Sequence, residues 1–180
     1  HDRVGLLGFG ADMVCYVPPR PCQAYQRLIP ESILTCEAAR AAASFPAAVS
    51  ALERFVKRRS LVFVLSDFIT EDVAALEHSL RRLCRLHEVI ALVVTDPLEV
   101  SHPVGTARLR TRDLETGHLR SYSLTRRNQQ QMARRDLHRR SQLHGVFERL
   151  RISHLSVTPH SNYCEDLRHL LLTRQGRASA

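Results

Sequence analysis

The apolar positions of this chain fall into two kinds of run. Leu61-Val62-Phe63-Val64-Leu65 and Val89-Ile90-Ala91-Leu92-Val93-Val94 are unbroken and bounded by polar residues. Such stretches read as strands covered on both faces, the kind found in the middle of parallel sheets. Shorter or half-polar runs predict strands at 4–9, 13–17, 106–111, 119–124 and 152–157. The link Gly10-Ala11-Asp12 is short enough to make the first two an antiparallel hairpin. Pro18, Pro19 and Pro21 are expected to end its second strand. Asp113-Leu114-Glu115-Thr116-Gly117 reads as the turn of another hairpin, on the sheet edge.

The other apolar residues recur at helical spacing. Tyr25, Leu28, Ile29, Ser32, Ile33 and Cys36 share one face, and Pro30 among them predicts a kink or two short helices. Phe45-Pro46 opens a helix whose inner stripe is Phe45, Ala48, Val49, Leu52, Phe55 and Val56. Thr70 is the expected N-cap of the next, with Val73, Leu76, Leu80, Leu83 and Cys84 inward. A long basic helix covers 126–149, and Asn162 with Glu165 has the capping-box pattern ahead of Leu167, Leu170 and Leu171. Alternating strands and helices predict an α/β fold, a mostly parallel Rossmann-like sheet with helices on both faces. One domain is expected over 1–174, with a frayed tail at 175–180.

Composition removes several classes of function. Hydrophobic content is 44% and charged content 24%, ordinary for a globular domain. No stretch approaches the ~18 apolar residues of a membrane span, and His1-Asp2-Arg3-Val4 lacks a signal-peptide layout, so a cytoplasmic setting is expected. Five cysteines, widely spaced and without Cys-x-x-Cys, argue against a zinc site or disulfide framework and for buried free thiols. Net charge is +8 and Lys57 is the only lysine. Arginine suits phosphate recognition, although a GC-rich coding sequence and a solvated surface explain the bias more simply.

Candidate chemistry centres on Asp67. It follows the 61–65 strand, and open α/β sheets collect working groups beyond the carboxyl ends of their strands. Asp67 reads either as a metal ligand or as a loop cap bonding backbone N–H groups. With Asp96 it could form the carboxylate pair of a metal-dependent hydrolase, though Asp96-Pro97 is also a common turn. Ser66 has no G-x-S-x-G elbow around it. Gly5, Gly8 and Gly10 run G-x-x-G-x-G with no helix pattern directly after, which excludes the dinucleotide fingerprint. His78, His87, His138 and His144 make no metal-binding pair in an apolar setting and read as surface or core residues. Arg126, Arg127, Arg134, Arg135, Arg139 and Arg140 give the alternative of a basic nucleic-acid-binding module. No aromatic residues interleave with them as a stacking platform for single strands would require, and a solvated face is the plainer reading.

A series of blocks adds a resemblance. Asp2-Arg3-Val4-Gly5-Leu6-Leu7-Gly8-Phe9, Val17-Pro18-Pro19-Arg20, and Arg58-Arg59-Ser60 running into Leu61 through Phe68 come first. His87-Glu88-Val89-Ile90-Ala91, Asp96-Pro97-Leu98-Glu99, Pro103-Val104-Gly105 and Glu115-Thr116-Gly117 follow. In this order they resemble the MoxR-associated, von Willebrand factor A-like family of bacteria. The resemblance implies a von Willebrand A-type sheet with one antiparallel edge strand and an added hairpin. It implies a non-enzymatic interaction domain that works with a MoxR-type AAA+ ATPase and a client protein in chaperone-like assembly or activation. Such domains often hold Mg²⁺ through Asp-x-Ser-x-Ser, a threonine and a third-loop aspartate; Asp67 matches the last, and Ser44 falls near the threonine position. No Asp-x-Ser-x-Ser occurs in these residues. The chain starts where the family's second strand would start, so the resemblance implies an N-terminally incomplete domain whose sheet must otherwise rearrange or borrow a strand.

Overall fold

The computed structural model describes residues 2–21, 27–36, 43–70, 72–96, 108–112, 119–123 and 125–178. In chain order the elements are β1 (Arg3–Phe9), β2 (Met13–Pro21), α1 (Leu28–Thr35), α2 (Phe45–Phe55), β3 (Leu61–Ser66), α3 (Val73–Leu86) and β4 (Glu88–Val94). Then come β5 (Arg108–Arg112), β6 (Leu119–Ser123), α4 (Arg126–Leu150), β7 (Ser153–Val157) and α5 (Tyr163–Ala178). Strands β3, β4 and β7 form a parallel sheet in that order, while β1–β2 and β5–β6 are separate antiparallel pairs. The architecture is α/β and Rossmann-like, with parallel strands alternating with helices. The β5–β6 hairpin was expected on the edge of the main sheet and instead pairs only with itself among the described residues. Its turn residues, like Glu71 and 97–107, lie outside the described residues.

Packing follows the alternation of side chains across the strands. Val89 and Ala91 point to one face, where Phe45 and Val49 of α2, Leu76, Leu80 and Leu83 of α3, and Val146 and Phe147 of α4 form the core. Ile90 points the other way and is also buried, on the side where Arg174 of α5 reaches Glu88. The central strand buried on both faces is therefore β4. The expectation that Leu61–Leu65 fills that place is corrected: β3 lies at the sheet edge, with Leu61, Phe63 and Leu65 exposed at 44%, 38% and 59%. Val62 and Val64 reach the core, but no described strand pairs with the outer edge of β3.

Two proline readings also change. β2 runs through Pro18 and Pro19 to Pro21, with a bulge where the pairing moves from Leu6↔Val17 to Val4↔Arg20. Missing N–H groups are tolerated on an edge strand and at a bulge. A side chain at Gly5 would meet Val17 O at 2.8 Å and the Pro19 nitrogen at 3.0 Å, so glycine lets the proline strand approach. In α1, Pro30 falls within the first turn, where no intrahelical donor is needed, and the described segment is one helix without a second piece. The expected start at Tyr25 lies outside the described residues.

Capping shifts by two residues at α3. Asp72 is its N-cap and accepts from Ala75 N at 2.8 Å, while Thr70 Oγ1 accepts from Asp72 N at 3.2 Å. α5 takes in 175–178, read from the sequence as part of the tail. No helix among the described residues is long and apolar enough to cross a membrane.

Candidate functional site

The three parallel strands end at one rim, the usual place for ligands in open α/β sheets. Residues Ser66-Asp67-Phe68 form a tight turn there. Ser66 Oγ accepts from Phe68 N, and Asp67 Oδ1 accepts from Ile69 N, both at 3.0 Å. Phe68 has φ +52°, a left-handed conformation that costs a side-chain-bearing residue ~1–2 kcal/mol. The core holds it there. Phe68 is 2% exposed, stacked on Phe45 at 5.5 Å and edge-on to Phe147 at 5.4 Å. The shape of the Asp67 turn is thus fixed by aromatic packing beneath it.

Ser44 precedes the partner ring of that stack, Phe45, and does not line the cavity beside Asp67. Ser44 caps α2: its Oγ accepts from Ala47 N at 3.3 Å, and its own N–H donates to Gly10 O at 2.7 Å. Ser44 and Asp67 therefore each sit immediately before one of two stacked phenyl rings. They offer a hydroxyl and a carboxylate, hard oxygen donors of the kind Mg²⁺ takes. Each already accepts one backbone N–H. Among the described residues there is no group of three or more His, Cys, Asp or Glu that could hold a metal ion. The pair fits a cation in kind and falls short in number, because octahedral Mg²⁺ needs more oxygens than these two residues supply. Asp96 follows β4 on the same side of the sheet and is exposed, but it does not line the cavity beside Asp67.

That cavity has a volume of about 180 Å³ and lies between the strand ends and α4. Phe68, Val93 and Phe147 give it an apolar base, with Thr95, Ser156 and His154 from the strand ends. Its α4 wall carries Asp136, Arg139, Arg140 and His144. Asp136 accepts from Arg139 Nη2 at 2.9 Å and Arg140 Nε at 2.8 Å. Partial burial would raise the Asp136 carboxyl; the two guanidiniums outweigh that and hold it below the usual carboxylate range. His154 packs at 4.9 Å from the Phe147 ring and edge-on to His144 at 5.1 Å. The spacing of Asp136 to Arg139 and Arg140, i+3 and i+4, was a readable signal for this cluster. His154, in the middle of a strand, carried no such signal.

The remaining candidates are dispersed. Arg126, Arg127, Arg134 and Arg135 are exposed along the first half of α4, whereas Arg139 and Arg140 are tied to Asp136. His87 lies before β4, away from the rim, and is buried. Of the cysteines with described placements, Cys15, Cys36 and Cys84 are half-buried and Cys164 is exposed, so none is buried as the sequence reading expected.

A strand-end rim beside an α/β core defines the general class. Family comparison narrows it: a model described as "Protein of unknown function DUF58" matches residues 1–146, and the chain belongs to that family. It is similar to the uncharacterized proteins Mb1516 of Mycobacterium bovis and Rv1480 of Mycobacterium tuberculosis, 31% identical to each over 126 residues. The match covers 68% of this chain and spans 38% of each relative's length. Among solved structures it is similar to the conserved hypothetical protein BatB from Bacteroides thetaiotaomicron, with a TM-score of 0.49 and 16% identity, covering 97% of this chain and 80% of that one.

Proposed function

We propose that this chain is a non-enzymatic protein-interaction domain that docks a MoxR-type AAA+ ATPase and its client through the carboxyl rim of the sheet. The observation that supports this reading is the Phe45–Phe68 stack, whose two rings directly follow Ser44 and Asp67 in the chain. A preshaped rim needs little reordering on binding, which favours recognition. In this reading Ser44 and Asp67 are this chain's contribution to a shared Mg²⁺, with water and an acidic residue of the partner supplying the other oxygens. Chaperone-like assembly or activation of the client is the role that follows.

The test is capture of the ATPase by the chain, with and without Mg²⁺, using wild type, Asp67→Ala and Asp67→Asn. Asparagine keeps the acceptor for Ile69 N and removes the charge. Both variants, and removal of Mg²⁺, are expected to weaken binding by tenfold or more, about 1.4 kcal/mol. Binding unchanged by all three would sink the cation-bridged version. Failure to capture the ATPase under any condition would end the docking reading itself.

A further inference from the structure

Gly8 of β1 pairs with Cys15 of β2. A methyl group at Gly8 would meet Cys15 Sγ at 2.7 Å and Cys36 Sγ at 3.5 Å. The space a side chain would take is therefore filled by two sulfur atoms from different elements, β2 and the C-cap of α1. Both thiols are half-buried, sheltered yet within reach of a small oxidant. α1 has no buried residue, and Leu28, Ile33 and Leu34 stay exposed, so few contacts hold it to the body of the fold. Wide sequence spacing had argued against paired cysteines; the hairpin and the end of α1 bring these two together regardless.

We propose that Cys15 and Cys36 are a redox modification site, a reversible disulfide that fastens α1 to the opening hairpin. The oxidant is a small disulfide of the glutathione class. One protein thiolate attacks a sulfur of oxidised glutathione, forming a mixed disulfide and expelling one glutathione thiolate. The second protein thiolate attacks the protein sulfur of that mixed disulfide and expels the other glutathione. The two protein thiol protons pass to the two leaving thiolates. The dithiol is oxidised by two electrons and glutathione disulfide is reduced to two thiols.

Hydrogen bonding to Cys15 raises the Cys36 thiol above its ordinary range, with burial and the neighbouring sulfur adding to the effect. Thiolate, the reacting form, is therefore scarce at neutral pH, and exchange should quicken as pH rises. Cys84 and Cys164 lie on α3 and α5 and cannot substitute for either partner without rearranging the fold. The link would also sit near the rim, because Gly10, two residues after Gly8, holds the Ser44 N–H. The proposal is nevertheless independent of whether that rim docks an ATPase.

The experiment incubates the full chain in oxidised or reduced glutathione, alkylates free thiols with iodoacetamide, and maps unreduced peptides by mass spectrometry. A Cys15–Cys36 linked peptide is expected only in the oxidised sample, with Cys84 and Cys164 alkylated or carrying glutathione and the link reversed by dithiothreitol. The oxidised form should melt roughly 5 °C or more above the reduced form. That difference should vanish in both Cys15→Ser and Cys36→Ser. Recovery of Cys15 and Cys36 as alkylated residues or as separate glutathione adducts overturns the proposal, as does a link from either one to Cys22, the fifth cysteine of the sequence. Should a variant fail to fold, the wild-type peptide map alone decides.

Discussion

At the scale of single residues, His87 is the least satisfied buried side chain among the described residues. It is 3% exposed, and neither ring nitrogen has a hydrogen-bond partner among the described residues. A buried polar group left unpaired costs ~1–3 kcal/mol. Burial lowers the His87 pKa, Glu53 opposes that shift, and Arg59 adds to it, so the folded protein holds the ring neutral. The sign of the pH effect follows. The unfolded chain takes up a proton near pH ~6.5 while the folded chain resists it to lower pH. Stability from this residue is full above that value and falls as pH drops through it. His87→Leu should raise unfolding free energy by about 1 kcal/mol at neutral pH, because the orphaned nitrogens disappear. It should also shrink the loss between pH 7.5 and pH 5.5, read from urea midpoints at both values. An unchanged acid loss in the variant would show that other groups set the pH dependence. Sequence alone placed His87 only as surface or core, since nothing in its neighbours reveals whether a ring nitrogen finds a partner.

Elements were legible where one local rule dominated. The stripe of α3, from Val73 to Cys84, emerged with the expected inward residues, and that of α2 did so from Phe45 to Leu52, whereas Phe55 is exposed and Val56 is the C-cap rather than part of the stripe. Ser44 shows how a local role and a proposed role can share one atom, because its Oγ caps α2 by accepting from Ala47 N. Ser44→Ala should cost about 1 kcal/mol of stability, and Ser44→Gly only a few tenths. Both remove the hydroxyl, so if Ser44 also contributes to partner binding, the glycine variant loses affinity while remaining nearly as stable as wild type. Equal ATPase capture by wild type and Ser44→Gly would confine Ser44 to capping. Where tertiary context overrode a local rule, the sequence misled. Proline at 18, 19 and 21 predicted a strand end, yet the edge position and the bulge opposite Gly5 let β2 continue. Pro30 predicted a kink, and only the start of α1 at Leu28 made it harmless. Asp67 was readable as a residue at a strand end, but the left-handed Phe68 beneath it was not, because its strain depends on three distant rings meeting.

On the scale of the whole molecule, the sheet is divided. Phe9 closes β1 and Phe68 follows β3, and both rings touch Phe45, at 5.4 and 5.5 Å. The two ring centres are thus no more than about 11 Å apart, on the order of two strand spacings of ~4.8 Å. No hydrogen-bonded ladder joins β1 to β3 across that interval among the described residues. The continuous apolar run that predicted a buried centre was read correctly as a strand and wrongly as a centre. Such a run records what a strand can bury, whereas exposure depends on what lies beside it. This division makes a graded stability prediction. Leu80, 0% exposed on the inner face of α3, should cost ~2–5 kcal/mol when changed to alanine. Leu65, 59% exposed on the outer face of β3, should cost less than about 0.5 kcal/mol when changed to glutamine. Amide exchange should show the same order, with outward-pointing N–H groups of β3 exchanging far faster than those of β4, which is paired on both sides. A Leu65→Gln loss approaching that of Leu80→Ala, together with equal protection of β3 and β4, would mean that β3 is covered in solution. The division of the sheet would then be closed by further chain or by another molecule.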